Sequence, residues 1–306
     1  MTALELADAL EGKREGHEYR ARCPLHGGRS LFITEKDGRF LIVCRAGCSQ
    51  NEVIKALRSM GLWGGNEHHQ TLPPREPEPK DDLTKRIDKA DRLWNESHPI
   101  EPGDPVWLYL KNRGITLTEY PQDLHTHPAL PYWEVGNTGK PVKTGIFPAM
   151  LAIIRSPAGK PVGIHRTWIS PDGSGKAPVE SPKKLYKVHD LAGLAVRLFS
   201  PRDGVLGICE GIEDALSAWI LWKIPTWACL GTSGMKVFQA PEGIKEFLIF
   251  SDRDASGAGQ KAGWELKDRM AETGRAARVL VPQDGSKDLN AFLLARQEAN
   301  IQETAR

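Results

Sequence analysis

Three acidic motifs each follow a short apolar run of strand type. The runs are VLGIC, EFLIF and ARVLVP, and the acidic residues after them are Glu210, Asp252 with Asp254, and Asp288. A helical pattern follows each motif, as in a parallel α/β sheet, where the carboxyl ends of the strands bind ligands. Carboxylate oxygens at such an edge suit Mg²⁺, which retains waters for exchange with substrate phosphates. The alternative is that the three aspartates only cap helices and that Glu210 is a loop carboxylate.

A second set of potential metal ligands lies near the beginning of the chain. Cys23 and His26 form one pair, Cys44 and Cys48 form another, and the interval LFITEKDGRFLIV has the pattern of a hairpin with a central Asp-Gly turn. Three thiolates and an imidazole can hold one tetrahedral structural Zn²⁺. A helical pattern then begins after Ser49, the expected N-cap. The alternative is three buried free cysteines and a surface histidine.

Composition limits the classes of protein to which the chain can belong. Its 306 residues predict about two domains. The net charge is only +2, so any nucleic-acid surface must be a local patch. No apolar run approaches the roughly 20 residues of a membrane span, and no signal-peptide core is present, so we expect a cytoplasmic protein without membrane contact. Residues 64–82 contain four prolines and no apolar periodicity, which indicates a linker.

The acidic motifs also resemble a known family. Their order is E-G-x-x-D-A, a Gly-Thr-Ser-Gly turn at 231–234, S-D-R-D-x-x-G-x-G and K-D-L-N. This order resembles the Toprim domain, which is shared by bacterial-type primases, topoisomerases, recombination mediators and some nucleases. The resemblance covers the last third of the chain. It implies a parallel-sheet α/β domain with one or two catalytic Mg²⁺ or Mn²⁺ ions.

The same resemblance implies roles for individual residues. Glu210 is the family's candidate general base, and Asp214 either joins the metal site or orients Glu210. Lys287 is a supporting residue beside the last acidic motif. The catalytic residues implied are Glu210, Asp252 and Asp254, and the magnesium ligands implied are Glu210, Asp252, Asp254 and Asp288.

The order of the units resembles that of bacterial-type primases, above all those of phages, plasmids and other mobile elements. Topoisomerases need a large domain after Toprim, whereas recombination mediators lack a basic middle unit. We therefore expect a multidomain α+β and α/β protein. The predicted parts are a zinc-ribbon-like β unit at 1–63, a Pro-rich linker at 64–82, a mixed α+β basic middle domain at 83–202, and a parallel-sheet Toprim domain with a C-terminal helix at 203–306.

Four basic residues are candidates for binding phosphates of the substrate or the nucleic acid. The resemblance matches Arg166 and Lys176 to basic residues of the middle part of primases, and Lys183 and Lys184 extend the patch. For the last two, a solvated charged loop is an equal alternative. The segment GSGK at 173–176 lacks the first glycine and the Ser or Thr of a P-loop, which argues against an ATPase motor.

The resemblance implies a DNA primase that makes short RNA primers on single-stranded DNA. Its expected partners are the template, ribonucleoside triphosphates and a separate replicative helicase, because no helicase part follows in the sequence. Two alternatives stay open. One is a Toprim nuclease that cleaves phosphodiesters, and the other is a zinc-dependent DNA-binding factor of replication or recombination.

Overall fold

The computed structural model of the chain describes residues 2–15, 18–36, 39–44, 48–63, 80–136, 140–189, 193–254 and 256–304. The turn of the predicted hairpin and residues 64–79 of the predicted linker lie outside the described residues. The chain divides into two compact units, of which one comprises residues 1–78 and 132–145 and the other comprises 79–131 and 146–306. Within the described ranges, no helix is long and apolar enough to cross a membrane.

The first unit contains an antiparallel sheet and the helices that pack on it. Its elements are α1 (Ala3–Ala9), β1 (Lys13–Glu15), β2 (Glu18–Ala21), β3 (Leu31–Lys36), β4 (Arg39–Cys44) and α2 (Gln50–Ser59). The strands pair in the order β1-β2-β3-β4, and the predicted hairpin is confirmed as β3 and β4. Ser49 caps α2 as predicted, because its side chain accepts the backbone N–H of Glu52. Leu6, Leu31 and Leu57 are fully buried in the core between the sheet and the helices.

The second unit contains the remaining helices and strands, except that the strand ends within residues 132–145 belong to the first unit. Its elements before the first acidic motif are α3 (Lys80–Asn95), β5 (His98–Pro99), α4 (Pro105–Asn112), β6 (Leu124–Val135), β7 (Pro141–Arg155), β8 (Pro161–Trp168), β9 (Lys183–Lys187) and β10 (Ala195–Arg197). The elements that follow are β11 (Val205–Cys209), α5 (Ile212–Trp222), β12 (Thr226–Ala228), α6 (Thr232–Val237), β13 (Glu246–Phe250), α7 (Ala258–Glu272), β14 (Ala276–Leu280) and α8 (Leu289–Thr304). Helix α3 begins at Lys80, inside the range 64–82 that the sequence predicts to be a linker.

One continuous sheet runs through this unit in the order β14-β13-β11-β12-β10-β7-β6-β5. Strands β12, β11, β13 and β14 are parallel to one another, which confirms the predicted parallel α/β part. Strand β10 pairs antiparallel with both β12 and β7. Because of β10, the predicted middle and Toprim parts share a single sheet. Strands β8 and β9 continue from β7 as a side branch.

Helices cover both faces of the parallel part. Side chains of α4, α5 and α8 form one core, with Tyr109, Leu216 and Leu293 among its buried members. Side chains of α6 and α7 form the core on the other face, where Met235 and Leu266 are fully buried. Both faces of the parallel strands are therefore shielded from solvent. This explains why VLGIC in β11 and EFLIF in β13 are continuous apolar runs rather than alternating apolar and polar residues.

The predicted turn at 231–234 differs in the structure. Gly231 has φ +119° and precedes the short helix α6, so the segment is a strand-to-helix entry. A Cβ on Gly234 would lie 1.8 Å from the carbonyl oxygen of Cys229. Only glycine fits so close to the preceding strand end, which is why this motif needs its second glycine.

Candidate active site

The structure brings the predicted acidic residues to one edge of the parallel sheet. Glu210 directly follows β11, Asp252 and Asp254 follow β13, and Asp288 directly precedes α8. Asp214 joins them from the first turn of α5. We call these five residues, Glu210, Asp214, Asp252, Asp254 and Asp288, the acidic edge. The parallel order β12-β11-β13-β14 causes this meeting, because the carboxyl ends of all four strands lie on the same side.

Burial and mutual repulsion raise the pKa of three members of the acidic edge. Burial, then Asp254 and Asp214, raise the pKa of Glu210 to about 7. Burial and the neighbouring carboxylates likewise raise the pKa of Asp214 to about 7 and that of Asp252 to about 7. Without a cation these groups therefore retain protons near neutral pH.

The acidic edge has features that fit a divalent cation. Glu210 Oε1 is buried and has no hydrogen-bond partner among the described residues. Gly259 leaves space beside it, since a Cβ there would lie 2.8 Å from Glu210 Oε1 and 3.2 Å from Asp254 Oδ2. An unpartnered carboxylate oxygen in a cluster of carboxylates is the environment that a hard cation relieves. The donor set and the space therefore suit Mg²⁺ or Mn²⁺.

Two of the aspartates also cap helices. Asp254 accepts the backbone N–H groups of Ala258 and Gly259, at 3.1 and 2.8 Å, at the beginning of α7. Asp288 Oδ1 accepts the backbone N–H of Ala291 at 2.8 Å at the beginning of α8. Each carboxylate still has lone pairs for a metal, because it offers about four acceptor positions. Capping and metal binding are thus compatible for these two residues.

Asp214 and its neighbour Glu213 lie on the same turn of α5 but contact different partners. Asp214 Oδ1 accepts the backbone N–H of Asn290 at 3.0 Å. Glu213 accepts the hydroxyl of Tyr109 at 2.8 Å and lies 3.4 Å from Lys183 Nζ and 3.9 Å from Lys176 Nζ. Burial raises the pKa of Glu213, but the two lysines, together with hydrogen bonds from the backbone and from Tyr109, outweigh this and lower it to about 2. Glu213 is therefore a buried, charged carboxylate.

Glu213 is not among the residues predicted from the sequence. The pattern IEDALSAWILW does contain a sign of it, because most of its residues are apolar, and the structure buries every residue from Ile212 to Ala218. A carboxylate inside a helix that is buried on all sides needs a charged or hydrogen-bonding partner. The sequence could not supply the identity of that partner, since Tyr109 lies 104 residues away along the chain.

A group of basic side chains lies beside Glu213. Arg113, Lys176 and Lys183, which we call the basic end, line one cleft with Glu210, Asp214, Asp252 and Asp288. The cleft has a volume of about 310 Å³. Lys287 also lines it, with its ammonium group 3.5 Å from Asp288. Of the predicted phosphate ligands, the structure thus brings Lys176 and Lys183 to the acidic edge.

His165 and Arg113 belong to this cleft but were not predicted. Burial and then Lys183 lower the pKa of His165 to about 3, so its imidazole is neutral. Arg113 donates from Nη1 to the side-chain oxygen of Asn290 at 2.8 Å. Whether His165 or its neighbour on β8 faces the cleft depends on the strand's orientation, which a single sequence does not fix.

The structure does not bring Arg166 and Lys184 to the cleft. They lie on the opposite faces of β8 and β9 from His165 and Lys183, because neighbouring strand residues alternate. The Arg166 guanidinium lies 5.0 Å from the centre of the Trp168 ring, and Lys184 Nζ lies 5.9 Å from it. Their assignment as phosphate ligands stays a prediction.

The four predicted zinc ligands meet in the first unit. The ligand atoms of Cys23, His26, Cys44 and Cys48 all lie within 4.8 Å of one another. The Sγ atoms of Cys23 and Cys48 are 3.9 Å apart, close to the roughly 3.8 Å that a tetrahedral site with Zn–S bonds of about 2.3 Å requires. Burial and the neighbouring thiols raise the pKa of Cys48 to about 12. A bound cation would offset both effects, because it stabilises the thiolate form. The cluster therefore suits a tetrahedral metal ion.

This cluster is tighter than the acidic edge. Among the described residues, it is the one group of three or more His, Cys, Asp or Glu side chains whose ligand atoms lie so close together. The wider spacing of the carboxylates is compatible with Mg²⁺, which binds through one or two protein carboxylates and keeps several waters.

Comparison with known protein families identifies one part of the chain. Residues 205–299 match the Toprim domain family. The chain contains a Toprim domain. This domain holds the whole acidic edge, so the predicted Toprim resemblance is confirmed. Residues 84–198 match a domain of unknown function, DUF7146, which holds Arg113, His165, Lys176 and Lys183. The cleft is thus lined from the Toprim domain and from this second domain.

Solved structures that resemble this chain include several primases. A DNA primase domain from Pseudomonas aeruginosa is 17% identical, with 70% of this chain and 74% of that chain covered and a TM-score of 0.46. The Aquifex aeolicus primase, with its zinc-binding and RNA polymerase domains, is 15% identical over 99% of this chain and 85% of that chain, with a TM-score of 0.47. The primase fragment of the bacteriophage T7 primase-helicase protein is 16% identical over 67% and 80%, with a TM-score of 0.38. No curated protein matches the chain.

Proposed function

We propose that the protein is a DNA primase, a nucleotidyltransferase that makes short RNA primers on single-stranded DNA. One observation carries the proposal: four of the five residues of the acidic edge line the same cleft as the basic end. Nucleotidyl transfer needs carboxylates for a metal and cations for the triphosphate next to each other. A cleft of about 310 Å³ holds both kinds of group in this chain.

The acidic edge accounts for the metal in this proposal. Asp252, Asp254 and Asp288 are the carboxylates that would hold one or two Mg²⁺ or Mn²⁺ ions, with Asp214 as a further ligand or as a residue that orients Glu210. When bound, such ions stabilise the negative charge that develops on the reacting phosphate. Lys287, which contacts Asp288, would limit the excess negative charge of this edge.

Glu210 is the proposed general base. Without a bound cation, burial and the neighbouring carboxylates raise its pKa to about 7, so its surroundings favour proton uptake at this carboxylate. It would take the proton of the primer 3′-hydroxyl as that oxygen forms a bond to the α-phosphorus of the incoming nucleotide. The bond between that phosphorus and the bridging oxygen breaks, and pyrophosphate leaves with the electron pair.

The basic end would bind the phosphates of the nucleotide. Lys176 and Lys183 line the cleft, and the neutral His165, which also lines it, adds a hydrogen-bonding group without further charge. Arg166 and Lys184, on the other faces of their strands, are proposed as contacts for the nucleic-acid backbone. The zinc unit at residues 1–63 is proposed to contact the template, and a separate helicase would supply single-stranded DNA.

A primer-synthesis assay tests the proposal. The full chain is incubated with Mg²⁺, mixed-sequence single-stranded DNA and labelled ATP, GTP, CTP and UTP, and the products are separated by length. The proposal expects short labelled RNA that depends on the DNA. Shortening of the DNA without RNA synthesis would instead support a Toprim nuclease. DNA binding with neither reaction would support a zinc-dependent DNA-binding factor.

A further inference from the structure

Glu213 contacts three side chains at the basic end of the cleft. It is 5% exposed, and both of its oxygens are used. Oε1 accepts the Tyr109 hydroxyl at 2.8 Å and lies 3.9 Å from Lys176 Nζ, while Oε2 lies 3.4 Å from Lys183 Nζ. A single buried carboxylate thus stands between two ammonium groups, and a tyrosine fixes its orientation.

The two lysines reach this point from different segments. Lys183 is the first residue of β9, and Lys176 lies in the connection before it, where it forms an isolated bridge with Ile169. Burial lowers the pKa of Lys176, Glu213 opposes that change, and Lys183 adds to it. Without Glu213 the two ammonium groups would repel each other, and each long side chain would sample more conformations.

The lysines remain able to bind an anion while they contact Glu213. Their side chains are 30% and 39% exposed towards the cleft. Each ammonium group has three donors, and one carboxylate oxygen uses at most one or two of them. The charges of Lys176, Lys183 and Glu213 sum to one positive charge, and Arg113 adds another at the same end of the cleft. The basic end therefore keeps a net positive charge.

We infer that Glu213 is a positioning residue that holds Lys176 and Lys183 together as one binding site for a polyphosphate. Tyr109 of α4 fixes the carboxylate, so α4 sets the geometry of the site although it contributes no cation to the pair. That this polyphosphate is the triphosphate of a nucleotide rests on the proposed function. The pairing of the lysines rests only on their contacts with Glu213.

The opposite role for Glu213 makes a different prediction. A carboxylate that merely occupies the lysines competes with the phosphate, so its removal would tighten anion binding. A carboxylate that organises the two lysines lowers the conformational cost of binding, so its removal would weaken anion binding. The direction of the change in Glu213→Gln therefore separates the two roles.

Binding of inorganic tripolyphosphate to the full chain tests the inference without any need for catalysis. Calorimetry is done in the absence of divalent metal ions other than protein-bound zinc. We expect Glu213→Gln to bind about tenfold more weakly than the wild type. Tyr109→Phe keeps the ring in the core and removes only the hydroxyl, so we expect a smaller loss in the same direction. Equal or tighter binding by both variants would overturn the inference, and so would a wild-type protein that does not bind tripolyphosphate.

Two controls separate positioning from a loss of folding. Glu265→Gln removes a carboxylate from the half-buried Glu265–Lys236 pair on α7 and α6, outside the cleft, and should bind tripolyphosphate as the wild type does. In a double-mutant cycle, Glu213→Gln should weaken binding much less in a Lys183→Gln background, because the residues act as a unit. Additive losses would contradict the inference. If Glu213→Gln does not fold, Tyr109→Phe with Lys183→Gln gives the same cycle.

Primer synthesis then links the inference to the reaction. Glu213→Gln should raise the KM for ribonucleotides by about tenfold and change kcat little, since it removes binding made equally in the ground and transition states. An unchanged KM in an active enzyme would overturn the inference. Tripolyphosphate binding that depends on Glu213 in a protein without primer synthesis would instead contradict only the proposed function.

Discussion

Asn290 donates its backbone N–H to Oδ1 of Asp214 at 3.0 Å. Its side chain also donates to the carbonyl oxygen of Arg113 and accepts from the Arg113 guanidinium, at 2.9 and 2.8 Å. A third contact joins it to the hydroxyl of Ser217 at 3.1 Å. Asn290 is 1% exposed, so it connects α8, α5 and the end of α4 inside the protein. The last motif, K-D-L-N, therefore contributes the structural residue Asn290 as well as the acidic residue Asp288.

Asn290→Ala should destabilise the protein by about 1–3 kcal/mol, because it removes three hydrogen bonds of a buried side chain, two to Arg113 and one to the Ser217 hydroxyl. The bond to Asp214 comes from the backbone and should persist. Chemical denaturation of the full chain measures the loss. Asn51→Ala, at an exposed position of α2, is the control and should change stability by less than about 0.5 kcal/mol. A loss no larger than that of the control would contradict this account.

Glu210 and Asp252 should fail in different ways when each loses its charge. Glu210→Gln keeps the shape of the side chain and removes the proton acceptor, so primer synthesis should fall by about 10²- to 10⁴-fold while nucleotide binding persists. Asp252→Asn should weaken Mg²⁺ binding itself, so part of its activity should return at high Mg²⁺ concentration. Synthesis rates across a Mg²⁺ titration measure both effects. Normal product yield from either variant would contradict the assigned roles.

The acidic edge could be predicted from the sequence because its information is local. Strand-type runs such as VLGIC end directly at Glu210, and the rule for parallel strands then places the carboxylates together. The Cys and His pairs are local in the same way, on either side of the hairpin. The basic end is different, because Tyr109, Lys183 and Glu213 are brought together only by the packing of distant elements.

Strand orientation was the other limit on prediction. Arg166 was predicted to bind phosphate, and its neighbour His165 lines the cleft instead. A shift of one residue along a strand moves every side chain to the other face, and β8 carries large residues on both of its faces. Its pattern HRTW therefore gives no alternation from which the cleft-facing residue could be chosen.

The pH dependence of stability should report the raised pKa values of the acidic edge. Glu210, Asp214 and Asp252 have pKa values of about 7 in the folded protein, above their ordinary values of 4.5, 3.8 and 3.8. Between about pH 4 and pH 7 these three groups therefore bind more protons in the folded state than in the unfolded state, so their contribution to stability falls as pH rises. Without Mg²⁺, the free energy of unfolding should therefore change less favourably over this range in the wild type than in Asp252→Asn, which lacks one of these groups.

Mg²⁺ should offset the falling contribution of these groups, because it takes the place of the bound protons. The stabilisation by Mg²⁺ should therefore be larger at pH 8 than at pH 6. Asp252→Asn serves as the matched variant, since the loss of one repelling carboxylate should flatten the pH dependence and reduce the effect of Mg²⁺. Denaturant titrations at both pH values measure this. Equal Mg²⁺ effects at pH 6 and pH 8 in the wild type would contradict the prediction.

The cysteine and histidine cluster should hold one Zn²⁺ per chain, and Cys44→Ser should lose it. Leu31 pairs directly with Cys44 at the end of the β3–β4 hairpin, so the metal would join the hairpin to Cys23, His26 and Cys48. Small units of this kind owe much of their folding free energy to the metal. Atomic emission should show zinc in the wild type and none in the variant, and hydrogen exchange should show loss of protection in residues 1–63.

Cys229→Ser is the control, because Cys229 is a buried free thiol of the Toprim domain outside the cluster, and this variant should keep its zinc. Full zinc content in Cys44→Ser would show that the ligands are assigned wrongly.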